Sequence, residues 1–131
     1  MIKLTELLAL DNVVAPQDCG TAPVTGTYVD VSNAGRFVAL AKAGAVTAAK
    51  TLTVQLLQAT SSGGAGAKNL GAAVVVAGAG GNAPADVKIE KQATDLDGAG
   101  GFVFVTAQLT INEAGKLGEA WLVRGDRRYQ P

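Results

Sequence analysis

The chain contains no histidine. That excludes imidazole acid–base chemistry and the Ser-His and Cys-His nucleophilic arrangements. A single cysteine, Cys19, excludes an intramolecular disulfide and the CxxC spacing of zinc and redox sites, and it is expected as a small, partly buried hydrophobe. Aromatic residues make up only 5% of the chain, although 48% is hydrophobic. Much of that apolar content is alanine, which buries little area at roughly 25 cal/mol per Å². The core is therefore expected to be modest, with stability leaning on neighbouring copies or a host assembly. Charge of one sign is also missing: 11 basic and 11 acidic residues cancel, so no nucleic-acid or anionic-membrane partner is expected. The longest apolar stretch, around Gly71 to Gly81, is short and glycine-rich and does not span a bilayer. Met1-Ile2-Lys3 is followed by Glu6 and Asp11 without a long apolar segment, so no signal peptide is expected and synthesis is placed in the cytoplasm.

What remains is a series of short alternating runs. Thr51 to Leu56 is the cleanest, with Leu52, Val54 and Leu56 expected inward and Thr51, Thr53 and Gln55 outward. Arg36 to Ala43 places Phe37, Ala39 and Ala41 on one face and Val38 and Leu40 on the other. Tyr28 to Val31, Leu70 to Val76, Asp86 to Glu90, Phe102 to Ile111 and Glu119 to Arg124 complete six or seven strands. The last two read as a hairpin turning near Asn112 to Gly118, with Gly125-Asp126 ending the final strand and Trp121 in the core. Ahead of them, Leu4, Leu7 and Leu8 have helical spacing, while Pro16, Gly20, Pro23 and Gly26 mark an extended or irregular segment. The organisation expected is an N-terminal arm over residues 1–26 and a β domain over residues 27–131. Its class is all-β: a single β-sandwich or small barrel, jelly-roll-like.

Motifs with chemistry are scarce. Asp95 and Asp97 have the spacing of a turn or of a fragment of a calcium loop, but no further acidic ligands follow at the required distances. Gly78-Ala79-Gly80-Gly81 lacks the third glycine of a dinucleotide loop and the Lys-Ser/Thr of a P-loop. Arg124-Gly125-Asp126 spells an integrin tripeptide, and the turn role of glycine and aspartate accounts for it. No catalytic, cofactor-binding or metal-ligating residue is assigned, and the chain is expected not to be an enzyme.

One strand breaks the simple pattern. Val103, Val105, Ala107, Leu109 and Ile111 form a uniformly apolar face, yet Phe102 and Phe104 lie on the opposite face beside Thr106, Gln108 and Thr110. Two of only three phenylalanines on a polar face are either covered by the arm or a long loop, or they make an intersubunit contact.

The order of segments is informative as a set. A leucine-bearing start leads to Thr27 to Ser32, then Gly35 to Leu40, then Leu52 to Thr60 with a glycine-rich loop. Gly101 to Thr106 and a terminal Leu122-Val123-Arg124-Gly125-Asp126-Arg127-Arg128-Tyr129 follow. Over most of residues 27–131 this resembles small virion proteins of tailed bacteriophages that decorate or cement the capsid. The resemblance implies a β domain on the capsid exterior, bound to the major capsid protein and to neighbouring copies, often as homotrimers. The interface groups expected are Leu4, Leu7 and Leu8 in the arm, Phe102 and Phe104 on the strand, and Arg127, Arg128 and Tyr129 in the tail. The alternatives are a head-tail connector or tail structural protein, and a carbohydrate-binding β-sandwich module.

Overall fold

A computed structural model describes residues 8–78, 80, 82–84 and 86–127, the last two by backbone alone. Ten strands follow in chain order: β1 (Ala9–Asp18), β2 (Val24–Thr25), β3 (Val29–Asp30), β4 (Ala34–Ala43), β5 (Thr51–Ala59), β6 (Lys68–Asn69), β7 (Val74–Ala77), β8 (Val87–Gln92), β9 (Phe104–Ile111) and β10 (Leu117–Arg127). Two single 3₁₀ turns, Ala93–Asp95 and Gly98–Gly100, lie between β8 and β9.

The strands form two antiparallel sheets. The front sheet has the order β1-β10-β4-β8, and the back sheet has β2-β9-β5-β6, with β3 also on β9 and β7 also on β5. If the broken strands β2/β3 and β6/β7 each count as one, the chain changes sheet at every step except from β5 to β6. That connectivity is the double-sheet jelly roll, two Greek keys wound together. The expected fold class is therefore observed.

Inward faces follow the period-two pattern. Phe37, Ala39 and Ala41 of β4 and Ala120 and Leu122 of β10 meet Leu52, Val54 and Leu56 of β5 and Val105, Ala107, Leu109 and Ile111 of β9. The front sheet thus supplies mostly small residues and the back sheet mostly large ones, and Phe37 is the largest fully buried side chain among them.

Five expectations need correction. Within the segment expected as an extended or irregular arm, Ala9–Asp18 is the regular strand β1, and Val13, Val14 and Cys19 are in the core. Pro16 is compatible with this because it sits on an edge strand, inside the register shift between Val14 and Gln17 where no ladder partner is needed. The last two strands are not a hairpin: β9 lies in the back sheet and β10 in the front sheet, joined by an arch across the sandwich. Gly125-Asp126 does not end β10, since Gly125 pairs with Arg36 and Arg127 with Ala34. Val103 precedes β9 and is only half-buried. Trp121, expected in the core, is exposed on the outer front face (38%). The inward parity of β10 is instead set by Gly118, Ala120 and Leu122. A Cβ on Gly118 would lie 3.1 Å from the Cys19 sulfur, so the space a side chain would need there is already filled.

The arch is pinned from several sides. Thr47 donates its N–H (2.8 Å) and hydroxyl (2.6 Å) to the Glu113 carboxylate, and these bonds hold that carboxyl below the usual carboxylate range. Asn112 accepts from Thr51 N–H at 2.6 Å, and Cys19 N–H donates to the Lys116 carbonyl at 2.9 Å. Gly20 passes so close that a Cβ there would stand 2.5 Å from the Glu113 carbonyl oxygen.

Candidate interaction surface

Two surfaces stand out: one end of the sandwich and the outer face of the front sheet. The end is organised by Arg124. Its Nε donates to Asp11 Oδ2 at 3.1 Å and its Nη2 lies 3.1 Å from the same oxygen, while Nη1 donates to the Asp30 carbonyl at 3.0 Å. One guanidinium therefore ties β1 and β10 in the front sheet to β3 in the back sheet, with the planar donor geometry that lysine lacks. Arg124-Gly125-Asp126 is accordingly part of a paired strand, with its arginine already engaged.

Several expected contact residues meet at this end, which we call the pole. Ala9 is paired with Arg124, and Leu8, just before it, comes within 3.3 Å of where a Gly125 Cβ would be. Asp30, held by Arg124, is paired with Phe104, which is paired in turn with Ala59 at the end of β5. The 60–67 loop leaves from there and folds back through the Thr60 N–H to Ala65 carbonyl bond (3.0 Å). The Phe102 ring reaches Gly66 of that loop, and the Tyr28 ring reaches Gly64. Both phenylalanines and Tyr28 are half-buried, and burial pushes the Tyr28 phenol up. Of the two expectations for the phenylalanine pair, loop cover applies to Phe102. Tyr28 was missed from sequence because it reads there as an ordinary strand residue.

Lys68 completes the cluster. Its ammonium stands 4.2 Å from the Phe102 ring centre and 2.6 Å from Asp97 Oδ2. That bond, with a second from Gly100 N–H, holds the Asp97 carboxyl below its ordinary range. Asp95 accepts from Gln92 N–H at 2.7 Å, so both aspartates of the DxD spacing act as turn caps. Leu4, Leu7, Arg128 and Tyr129 lie outside the described residues, as does the side chain of Arg127. Their segments join the sandwich through Leu8 and Arg127, at the pole.

The outer front face has a different character. Leu10, Val123 and Val38 form one cross-strand row ending at Glu90, and Asn12, Trp121 and Leu40 form the next, ending at Lys88. A third row carries Glu119 opposite Lys42, whose ammonium lies 3.7 Å from Asp86. Leu40, Lys42, Asp86, Lys88, Glu119 and Trp121 line a shallow depression of about 330 Å³. An apolar centre with a charged rim is the usual anatomy of a protein interface. By contrast, the outer back face carries Thr53 opposite Thr110 and Gln55 opposite Gln108, with Gln108 bonded to the Thr25 hydroxyl at 2.9 Å.

Comparison of the chain with protein-family models, with curated proteins and with solved structures finds no match.

Proposed function

We propose that this chain is a non-enzymatic structural virion protein that decorates the outside of a tailed-phage capsid, seating the Arg124 pole on the major capsid protein. The observation that carries the reading is convergence. Contact groups picked from three separate stretches of sequence (Leu8, the Phe102/Phe104 pair and the chain running into Arg127) lead to one end of the sandwich. The jelly roll supports it at the level of architecture, since viral capsid domains are among its common users. Each copy adds a modest contact across a capsid seam, and repetition over the lattice multiplies it.

The test is co-sedimentation of the purified protein with capsids prepared without it. Wild-type protein is expected to pellet with the capsids. Phe104→Ala is expected to weaken binding roughly tenfold or more, as loss of an aromatic anchor does, while Thr53→Ala on the polar back face leaves it unchanged. Equal binding by both variants with native circular dichroism contradicts the pole as the contact.

A carbohydrate-binding module is the second reading, favoured by Trp121 standing exposed in the depression beside Glu119 and Asp86. It ranks below the first because Leu40 and Val123 flank the ring along the sheet, and Lys42 already occupies Asp86. Glycan binding abolished by Trp121→Ala reverses the order.

A further inference from the structure

Among the sheet edges of the described residues, β8 is the long and regular one. β1 carries two register shifts and Pro16, and its Val13 carbonyl already accepts from Thr27 N–H at 2.9 Å. β2, β3 and β6 are two residues each and β7 is four, whereas β8 keeps six residues in unbroken register with β4. Ladder bonds alternate between the two sides of a strand. Gly44 N–H donates to the Leu117 carbonyl, continuing the β4/β10 ladder. The even-numbered residues of β4 therefore bond to β10, and Phe37, Ala39 and Ala41 bond to Lys91, Ile89 and Val87 of β8. That leaves the N–H and C=O groups of Lys88 and Glu90 facing the open edge. Gln92 fits the same alternation, since its N–H turns to Asp95 at 2.7 Å. The side chains of Lys88 and Glu90 are exposed, and neither enters an ion pair among the described residues. An edge with backbone and charges both unpaired is a template for another strand.

Charge selects the strand and its register. A second β8 laid antiparallel about a two-fold axis normal to the sheet keeps the outer faces on one side, so the axis passes through a residue paired with itself. With Ile89 at the centre, Lys88 of each copy faces Glu90 of the other, and every open N–H of these residues meets an open C=O. Val87 then faces Lys91, and Asp86 faces Gln92. A Lys88 centre instead sets Lys88 on Lys88 and Asp86 on Glu90, a Glu90 centre sets Glu90 on Glu90, and a Lys91 centre sets Lys91 on Lys91. A Val87 centre offers Lys88 to Asp86, which Lys42 already holds at 3.7 Å, and puts Glu90 opposite Pro84, which has no N–H. Lysine on an edge usually guards against pairing. Here the Ile89 register gives Lys88 an acid, and Lys91 reaches toward its own back sheet, with Nζ 2.7 Å from where a Gly71 Cβ would stand.

We propose that β8 pairs with the β8 of a second copy, antiparallel and centred on Ile89, joining two four-stranded front sheets into one continuous sheet. This does not rest on capsid binding, since it uses a flank of the sandwich and is tested on the free protein. It also differs from the three-fold cluster that the resemblance to decoration proteins implies. A six-residue strand is about 20 Å long, and two sheets about 10 Å apart with their outer side chains are roughly 20 Å deep, which gives on the order of 400 Å² per copy. A standard interface buries about 800 Å² per partner, so the dimer dissociates on dilution.

The experiment is sedimentation equilibrium of the full chain with charge reversals. Wild type is expected to be dimeric at about 200 µM and to dissociate on dilution. Lys88→Glu and Glu90→Lys each place two like-charge contacts across the dyad, and each is expected to raise the dimer dissociation constant roughly tenfold or more. An equimolar mixture of the two variants restores association as a heterodimer, because one offers two acids where the other offers two bases. Mixing does not cure a folding defect, so the rescue separates contact from stability. Amide exchange then locates the joint: in the dimer the Lys88 and Glu90 N–H groups become protected, while Ile89 and Lys91, already bonded to β4, do not change. Trp121→Ala, on the outer front face, leaves the dissociation constant unaltered. A monomeric or trimeric wild type at that concentration overturns the proposal. So do single reversals without effect, a mixture that stays monomeric, Lys88 and Glu90 amides that exchange alike in monomer and dimer, or a dimer lost with Trp121→Ala.

Discussion

Removing residues 1–26 is expected to abolish cooperative folding, not to leave a trimmed β domain. The deletion takes away β1 and β2, and with them seven register partners on β10. It also removes Val13, Val14 and Cys19 from the core, where each buried valine contributes about 1.5–3 kcal/mol. Against a total stability of about 5–15 kcal/mol, that loss alone takes a large share of the margin. The deletion further bares β10 as a long edge that carries Leu117, Trp121 and Val123 on its outer side, a template for aggregation. Thermal unfolding followed by circular dichroism decides it. A soluble truncated chain with a cooperative melt near that of the full chain contradicts the placement of β1 in the sheet.

Phe37→Ala is the point substitution expected to cost most. Phe37 is the largest fully buried side chain in a core whose front layer has Ala39, Ala41 and Ala120 among its inward residues. Beside it on β4 stand only small inward residues, and the ladders on both sides of β4 (to β10 and β8) hold its backbone in place. The expected loss is about 3–5 kcal/mol, which for a domain of this size lowers Tm by roughly 10–20 °C. Trp121→Ala is the contrast, because its ring adds little to the core. In dilute monomer it is expected to shift stability by less than about 1 kcal/mol. Comparable losses for the two substitutions contradict the assigned faces of β4 and β10.

These two expectations mark where sequence and structure part. Strands with a clean period of two, Arg36 to Ala43 and Thr51 to Leu56, were legible as strands, and for Thr51 to Leu56 the inward face was legible too. β1 was hidden by Pro16, which looks like a loop signal until a bulged edge strand makes room for it; Gly20, beyond the end of β1, does mark a break. Parity failed at β10 for a different reason. Its inward residues near the arch are the small Gly118 and Ala120, while the bulky Trp121 points out, so ranking by hydrophobicity assigns the faces in reverse. The arch between β9 and β10 was hidden because a hairpin and a sheet-to-sheet crossing use the same turn residues. What separates them is the set of long-range bonds from Thr47, Thr51 and Cys19 to the segment 112–116.

The contact groups were legible as residues, not as a surface. Nothing local links Leu8, Asp30, Phe104 and Arg124. Register and one guanidinium bring them together. The pole then has the properties of an anchor, with half-buried aromatics, an ammonium over a ring, the start of β1 and the end of β10. The front face supplies a second, separate surface.

The most direct measurement is the ratio of this chain to the major capsid protein in purified virions, read by quantitative mass spectrometry. A decorating role predicts on the order of hundreds of copies per particle, a fixed small-integer fraction of the capsid protein set by lattice symmetry. Absence from the virion, or about a dozen copies or fewer as a ring-shaped connector would give, contradicts it.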